Sequence, residues 1–442
     1  MSRTPRKAKS LLRIAVASAM CLAAAAAGIK GRTFGSPLAR SFLTPGEYGG
    51  KRPPGKPGAS AEVDPRAGPG VPAVAGVRAK APAPAAVEAW RQAFGPRLWK
   101  FPEDYGAHLD YKTEWWYFTG NLIGPAGEKY GYELTFFRNG VRTAPSDPKN
   151  PWSVRDLFLA HFTLTDVAAG AFRAEDVLSR SGPDLAGARA ENLDVWIGDW
   201  SARMTDGTIS LRARRGEIAL SLELAPRKPV VLHGRDGLSR KGSAKGQASY
   251  YSSLTDLETR GAITLGGSEG RRTVSGRSWF DHEFGSGLLA EDQIGWDWFG
   301  LHLSDGRDLM IYLLRRKDGS VEPVSAGTLV AADGSARPLA LRADRRRGND
   351  QMEFSVAVLD RWHSPRSAGI YPSRWRISIP AEQIDLVIGP LLAGQELLPA
   401  TLPNLIYWEG AVAGTGTVRG RPIICEGYAE LTGYAGSLRG VF

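Results

Sequence analysis

Residues His108–Gly120 read HLDYKTEWWYFTG, with two tryptophans, two tyrosines and a phenylalanine set beside a glutamate and an aspartate. Read as a strand, side chains alternate between two faces. Thr113, Trp115 and Tyr117 then share one face, and Glu114, Trp116 and Phe118 the other. Each face carries a large ring, but only one carries the carboxylate. The stretch therefore fits two uses: a barrel strand whose Trp plugs a closed end, or the wall of a pocket that holds an apolar ligand near an acid. Glu114 is expected to be buried and paired with an Arg or with backbone, because an unpaired buried carboxylate is costly.

The same pattern returns further on. WWYFTGNL from Trp115 leads through a turn to YELTFFR, ending at Arg138, and WDWFGLHL from Trp296 leads through SDGRD to LMIYLLR, ending at Arg315. The tryptophans are 181 residues apart. A matching hairpin with a matching terminal Arg points to duplication. From Phe101 onward, short runs rich in aromatic and β-branched residues alternate with Gly, Asp and Asn turns, as in LFLAHFTLTD and RWRISIPAEQIDLVIGP. The fold class expected is all-β: two tandem antiparallel β-barrel domains over 98–268 and 269–442, with the boundary near Gly266–Arg272. A short helix around AAVEAWRQAFG is expected before them.

Of the 442 residues, the first hundred hold 17 Lys and Arg against 4 acids, which leaves 39 bases and 42 acids in the rest. The net charge of +10 thus belongs to the leader, and the near-neutral folded part argues against a nucleic-acid partner. A basic start, the apolar IAVASAMCLAAAAAG and Ala-x-Ala sites near Ala25 and Ala27 read as a signal peptide over 1–27. An uncleaved leader would instead tether the protein to a membrane. Either way the expected location is outside the cytoplasm, periplasmic or secreted. Between Gly28 and Glu88, 21 of 61 residues are Gly or Pro, so a disordered linker is expected over 28–97. After cleavage Cys425 is the sole cysteine, which excludes an intramolecular disulfide.

The densest chemistry lies in SWFDHEFG, Ser278–Gly285. Alternation puts Trp279, Asp281 and Glu283 on one face and Phe280, His282 and Phe284 on the other. A carboxyl desolvated among rings can stay protonated as a general acid, and a neighbouring ring can steady a carbocation. Asp281, His282 and Glu283 are the catalytic candidates. Trp115, Tyr117, Trp279, Trp296, Trp298, His302, Tyr407 and Glu409 are the candidates for lining a ligand site. The plainer alternative is a capped barrel strand whose acid and imidazole bond to loop backbone. The six histidines show no HxH or HExxH spacing, so no metal site is expected. No Gly-x-Ser-x-Gly elbow, P-loop or dinucleotide fingerprint occurs in a credible context.

Five ordered stretches, FPEDYGAHLDYKTEWWYFTGNL, SWFDHEFG, GWDWFGLHLSDGRDLMIYLLR, SPRSAGIYPSRWRISIP and YWEGAVAGTGTVRGRPIICEGYAELTGY, resemble the AttH-like branch of the AttH and carotenoid 1,2-hydratase superfamily. The resemblance spans residues 98 to 442. It implies two lipocalin-like barrels and, in the hydratase branch, cofactor-free addition of water to an isolated C=C bond. The Asp-His pair of that branch falls on Asp281 and His282. The flanking hydratase motifs are not matched in full, so fold transfers better than reaction. The expectation is an exported protein that binds an apolar, isoprenoid or lipid-like molecule and hydrates it. The alternative is a non-catalytic carrier or envelope accessory protein of a membrane-associated transporter. A hydrolase reading lacks a nucleophile.

Overall fold

The computed structural model describes residues 89–436, apart from 146, 148, 151, 268–269, 288 and 342–351. The leader and most of the linker lie outside the described residues. Those described contain no α-helix. The first sheet comprises β1 (Thr113–Ile123), β2 (Lys129–Gly140), β3 (Asp156–Asp166), β4 (Ala171–Arg180), β5 (Ala186–Ala188), β6 (Asp194–Ile197) and β7 (Trp200–Thr205). It continues with β8 (Thr208–Arg215), β9 (Ile218–Pro226), β10 (Val231–Leu232), β11 (Leu238–Arg240), β12 (Ala248–Leu265) and β13 (Arg271–Gly285). The second sheet begins with β14 (Gln293–Leu303), β15 (Asp308–Arg316), β16 (Ala326–Val330), β17 (Ala336–Ala340) and β18 (Ser355–His363). It ends with β19 (Ile370–Ile379), β20 (Ile384–Pro390), β21 (Glu396–Leu397), β22 (Tyr407–Val418) and β23 (Arg421–Thr432).

Both sheets are antiparallel and curled, the first into a nearly closed barrel and the second into a half-barrel. Their central orders match: β4-β3-β2-β1-β13-β12 in the first and β17-β16-β15-β14-β23-β22 in the second. The two repeat hairpins are therefore equivalent elements. Each terminal Arg also does the same work, Arg138 bonding Glu114 at 3.0 Å and Arg315 bonding Asp297 at 2.8 Å.

β13 pairs with both β1 and β12, so the chain after Leu265 stays in the first sheet and Arg271 and Arg272 already belong to β13. The sheets divide instead between Gly285 and Gln293, later than the 268/269 boundary read from composition. The end of the linker also differs from expectation. Residues 89–95 form no helix but an irregular strap, because tertiary bonds claim the backbone: Arg91 N–H donates to Asp110 O at 3.0 Å, and Ala93 is buried.

Burial along the strands shows where the sheets meet. β7 and β9 alternate buried and partly exposed, with one face toward the barrel core and one toward solvent. β1 and β14 are buried on both faces. In β1, Trp116, Phe118 and Leu122 enter the barrel core, while Tyr117 belongs to the cluster that holds Trp298, Met310 and Tyr428 of the second sheet, its ring 5.3 Å from that of Trp298. Gly300 permits this contact: a Cβ there would lie 2.5 Å from the Trp298 ring and 3.2 Å from Trp279.

Candidate functional site

Between the sheets lies a cavity of about 200 Å³. Its aromatic walls are Trp115 and Tyr117 from β1, Tyr251 from β12, Trp296 and Trp298 from β14, and Tyr312 from β15. The polar groups that line it include Asp281 and Glu283 from β13, Lys241, Ser249 and Glu430. The volume is below the usual ~300–1,000 Å³ of a small-molecule pocket, so it suits a small molecule or the end of a longer one.

Asp281 reaches the cavity because odd-numbered residues of β13 face the second sheet. Its direct neighbours across the ladders are Ser253 and Tyr117. Tyr251 stands two residues before Ser253 on the same face, and a bulge follows between Leu254 and Leu257. Three donors converge on the Asp281 carboxyl: Tyr251 OH at 2.6 Å, Trp279 Nε1 at 2.6 Å and the Ser253 hydroxyl. Trp298 Nε1 donates in turn to Tyr251 OH at 3.0 Å, and His233 Nε2 lies 2.6 Å from Ser253 Oγ. Complete burial, with the nearby Glu283 adding to it, nevertheless pushes Asp281 up to about 7. Burial and the adjacent Asp281 carry the Tyr251 phenol well above its ordinary value.

Glu283 sits two residues on, bonded by Ser249 and 2.8 Å from Lys241 Nζ. Burial alone would lower the Lys241 ammonium, but Glu283 lifts it above its usual value. That ammonium also lies 4.5 Å from the Tyr312 ring centroid and 5.3 Å from that of Tyr251. Across the cavity, Glu430 accepts from Trp296 Nε1 at 2.8 Å, and burial lifts it to about 8.

His282, adjacent in sequence to Asp281, points the other way, into the barrel. Its Nδ1 lies 2.9 Å from Asp104 O and its Nε2 lies 3.0 Å from Glu114 Oε1, with the ring stacked on Trp116. It does not line the cavity and is in no position to orient a water there. Among the described residues, His108, Glu114 and His282 alone bring three ligating side chains within 4.8 Å of one another. Those atoms are already bonded to each other, and the Arg138 guanidinium occupies Glu114 Oε2 at 3.0 Å, so the group is an ion network in which a cation would meet a fixed positive charge. Glu114 is thereby held well below the ordinary carboxylate range, although burial opposes this. His302 also stands off the cavity, 2.9 Å from Asp308 and against Trp279.

Trp279 supplies the indole N–H to Asp281 from just behind the wall. Tyr407 and Glu409 lie deeper between the sheets: Tyr407 OH is 2.5 Å from His161 Nδ1, and Tyr117 OH donates to Glu409 at 3.0 Å. Residues missed by sequence reading are Tyr251, Ser253, His233, Lys241 and Tyr312. One signal was present for two of them, since ASYYSSL is an alternating strand with a tyrosine and a serine on one face.

Next to Glu409 lies Glu133 of β2, fully buried, and burial reinforced by Glu430 lifts it to about 8. A carboxyl of ordinary value 4.5 that holds its proton to about 8 when folded costs stability as pH rises through that window. Glu133→Gln, which cannot titrate, is expected to show a flatter stability profile between those limits in urea melts. Parallel profiles for the two proteins would rule this out.

Comparison with known proteins follows the same lines. The model of a family described as AttH-like matches residues 92–434. The crystal structure of a protein from Nitrosomonas europaea provisionally named AttH is 35% identical, with a TM-score of 0.66, covering 77% of this chain and 100% of that one. Kievitone hydratase from Nectria haematococca is 16% identical, with a TM-score of 0.56, covering 78% and 94% of the two chains, a likeness of fold. No curated protein sequence matches.

Proposed function

The chain belongs to the AttH-like family, and from that premise and the cavity's chemistry we propose that it binds an apolar, isoprenoid or lipid-like molecule and adds water to one of its C=C bonds without a cofactor. The observation that carries this reading is Asp281: a buried carboxyl raised to about 7, in a cavity walled by rings. In the same reading the leader exports the protein, and the substrate is met outside the cytoplasm.

The reaction needs a proton and a water. The Asp281 proton adds to one alkene carbon, and the C=C π pair forms the new C–H bond. The cation left on the other carbon is steadied by the faces of Trp115, Trp296 and Trp298. A water held near Glu283 bonds to that carbon, and its surplus proton passes to a carboxylate and returns to Asp281. Atoms balance as alkene plus water to alcohol. His282 has no part in this scheme, and Glu283 takes the water-positioning role.

The test is incubation of the purified protein with acyclic isoprenoid alkenes in ¹⁸O-labelled water. Labelled alcohol supports the reading. Tight ligand retention with no labelled product would leave the non-catalytic carrier. Since catalysis requires protonated Asp281, kcat/KM is expected to fall above about pH 7. Tyr251→Phe removes a donor that favours the carboxylate, so Asp281 rises and the falling limb moves to higher pH. A limb unmoved by Tyr251→Phe would detach the pH dependence from Asp281.

A further inference from the structure

Behind the cavity, away from Lys241 and Glu283, the sheets enclose a second group of polar side chains that the hydration chemistry does not use. Register places them. Asp281, Tyr117, Thr135 and His161 are successive cross-strand partners along one row of the first sheet, and Thr119, Glu133 and Thr163 form the adjacent row. The second sheet opposes these rows with Glu409 and Glu430, which are direct cross-strand partners on β22 and β23. Tyr117 joins the sheets by donating to Glu409 Oε2 at 3.0 Å.

Five buried atoms in this group make no well-formed hydrogen bond among the described residues: both carboxyl oxygens of Glu133, Glu409 Oε1, Thr135 Oγ1 and His161 Nε2, although the Thr135 hydroxyl is close enough to Glu133 to favour its carboxylate. Orphaned buried polar atoms cost about 1–3 kcal/mol each and are otherwise satisfied by internal water or an ion. A cation is disfavoured by geometry, because the ligating atoms of Glu133, Glu409, Glu430 and His161 do not converge within 4.8 Å in any group of three. Water fits: it can donate to a carboxylate or accept from a hydroxyl, and it needs two to four polar partners, which this group offers.

We propose that the unpartnered atoms of Glu133, Thr135, His161 and Glu409 bind a chain of ordered waters, in which the facing carboxyls share protons. The chain meets the catalytic cavity through Tyr117 and Glu430, both of which line it. In each transfer one O–H bond breaks as the next forms, so no net charge moves into the interface. If the hydration reading holds, this chain is the store from which the added water comes. The water site itself does not depend on that reading.

The test is a crystal structure of the whole protein at a resolution that shows waters, metal analysis of the same sample, and infrared spectra of wild type, Glu133→Gln and Glu409→Gln. Expected are ordered waters bonded to Glu133, Thr135 and His161 Nε2, and a carboxylic-acid C=O band at neutral pH that weakens in either variant. Both variants keep side-chain size, and melting curves confirm that each is folded. An interface closed over these atoms, a metal ion bound between Glu133 and Glu409, or the absence of the acid band would overturn the proposal. Waters and band without turnover of any alkene would sink the proposed function and leave this inference standing.

Discussion

Asp281→Asn is expected to cripple hydration in a protein that still folds. Asn has the size of a protonated Asp, its carbonyl can accept from Trp279 and Ser253, and its amide can donate to the Tyr251 oxygen that now donates to Asp281. The fold then loses no more than the ~1 kcal/mol of a rearranged hydrogen bond. Turnover should fall by about 10²–10⁴, the usual contribution of a positioned general acid, because the amide has no proton to give an alkene. The comparison requires a product assay, a ligand titration and a thermal melt on one preparation. Wild-type turnover in the variant would remove Asp281 from the mechanism. Loss of folding would make it a structural acid.

The second large effect is on stability. Arg138 is fully buried and donates to Glu114 Oε2 at 3.0 Å, Asp156 Oδ1 at 2.8 Å, His108 O at 3.0 Å and Tyr111 O at 2.8 Å. Arg138→Ala removes the guanidinium from two buried carboxylates, leaving Glu114 only its His108 and His282 bonds, and frees two carbonyls, a change expected to cost about 3–5 kcal/mol in denaturant melts. Glu114→Gln keeps an acceptor for Arg138 and should cost less. The ion network lies on the barrel side of β1 and the cavity on the other, so ligand binding per folded molecule should survive both changes. A stable Arg138→Ala protein with lost binding would mean that the two faces are coupled.

These two predictions turn on neighbouring strands whose faces were legible beforehand. Alternation alone separated Trp115 and Tyr117 from Glu114 and Trp116, and Asp281 and Glu283 from His282, because a strand's side-chain period is two whatever surrounds it. The Trp115 and Trp296 repeat was equally legible, since duplicated hairpins keep their hydrophobic pattern. The resemblance to the AttH-like family rested on the same motifs. So did the expectation that Glu114 would find an Arg, a consequence of the desolvation cost of a lone carboxylate.

Which face of β13 became the cavity wall was decided only by packing. Both faces carry rings and a titratable group, so local pattern could not choose between Asp281 and His282; the second sheet closed over one, and the barrel closed over the other. Tyr251 and Lys241 entered the site by the same route, from strands and loops distant in sequence that the barrel's curl brought beside Asp281. The stretch near Gly266–Arg272 does not separate the sheets because β13 found its partners in the first sheet, a long-range pairing that local composition does not encode. The strap at 89–95 forgoes a helix for the same reason, its backbone bonded to residues that only the folded chain places nearby. Local periodicity determined the strands, their faces and the repeat; burial between two sheets decided which acids lost their water, and with it which of them can hold a proton at neutral pH.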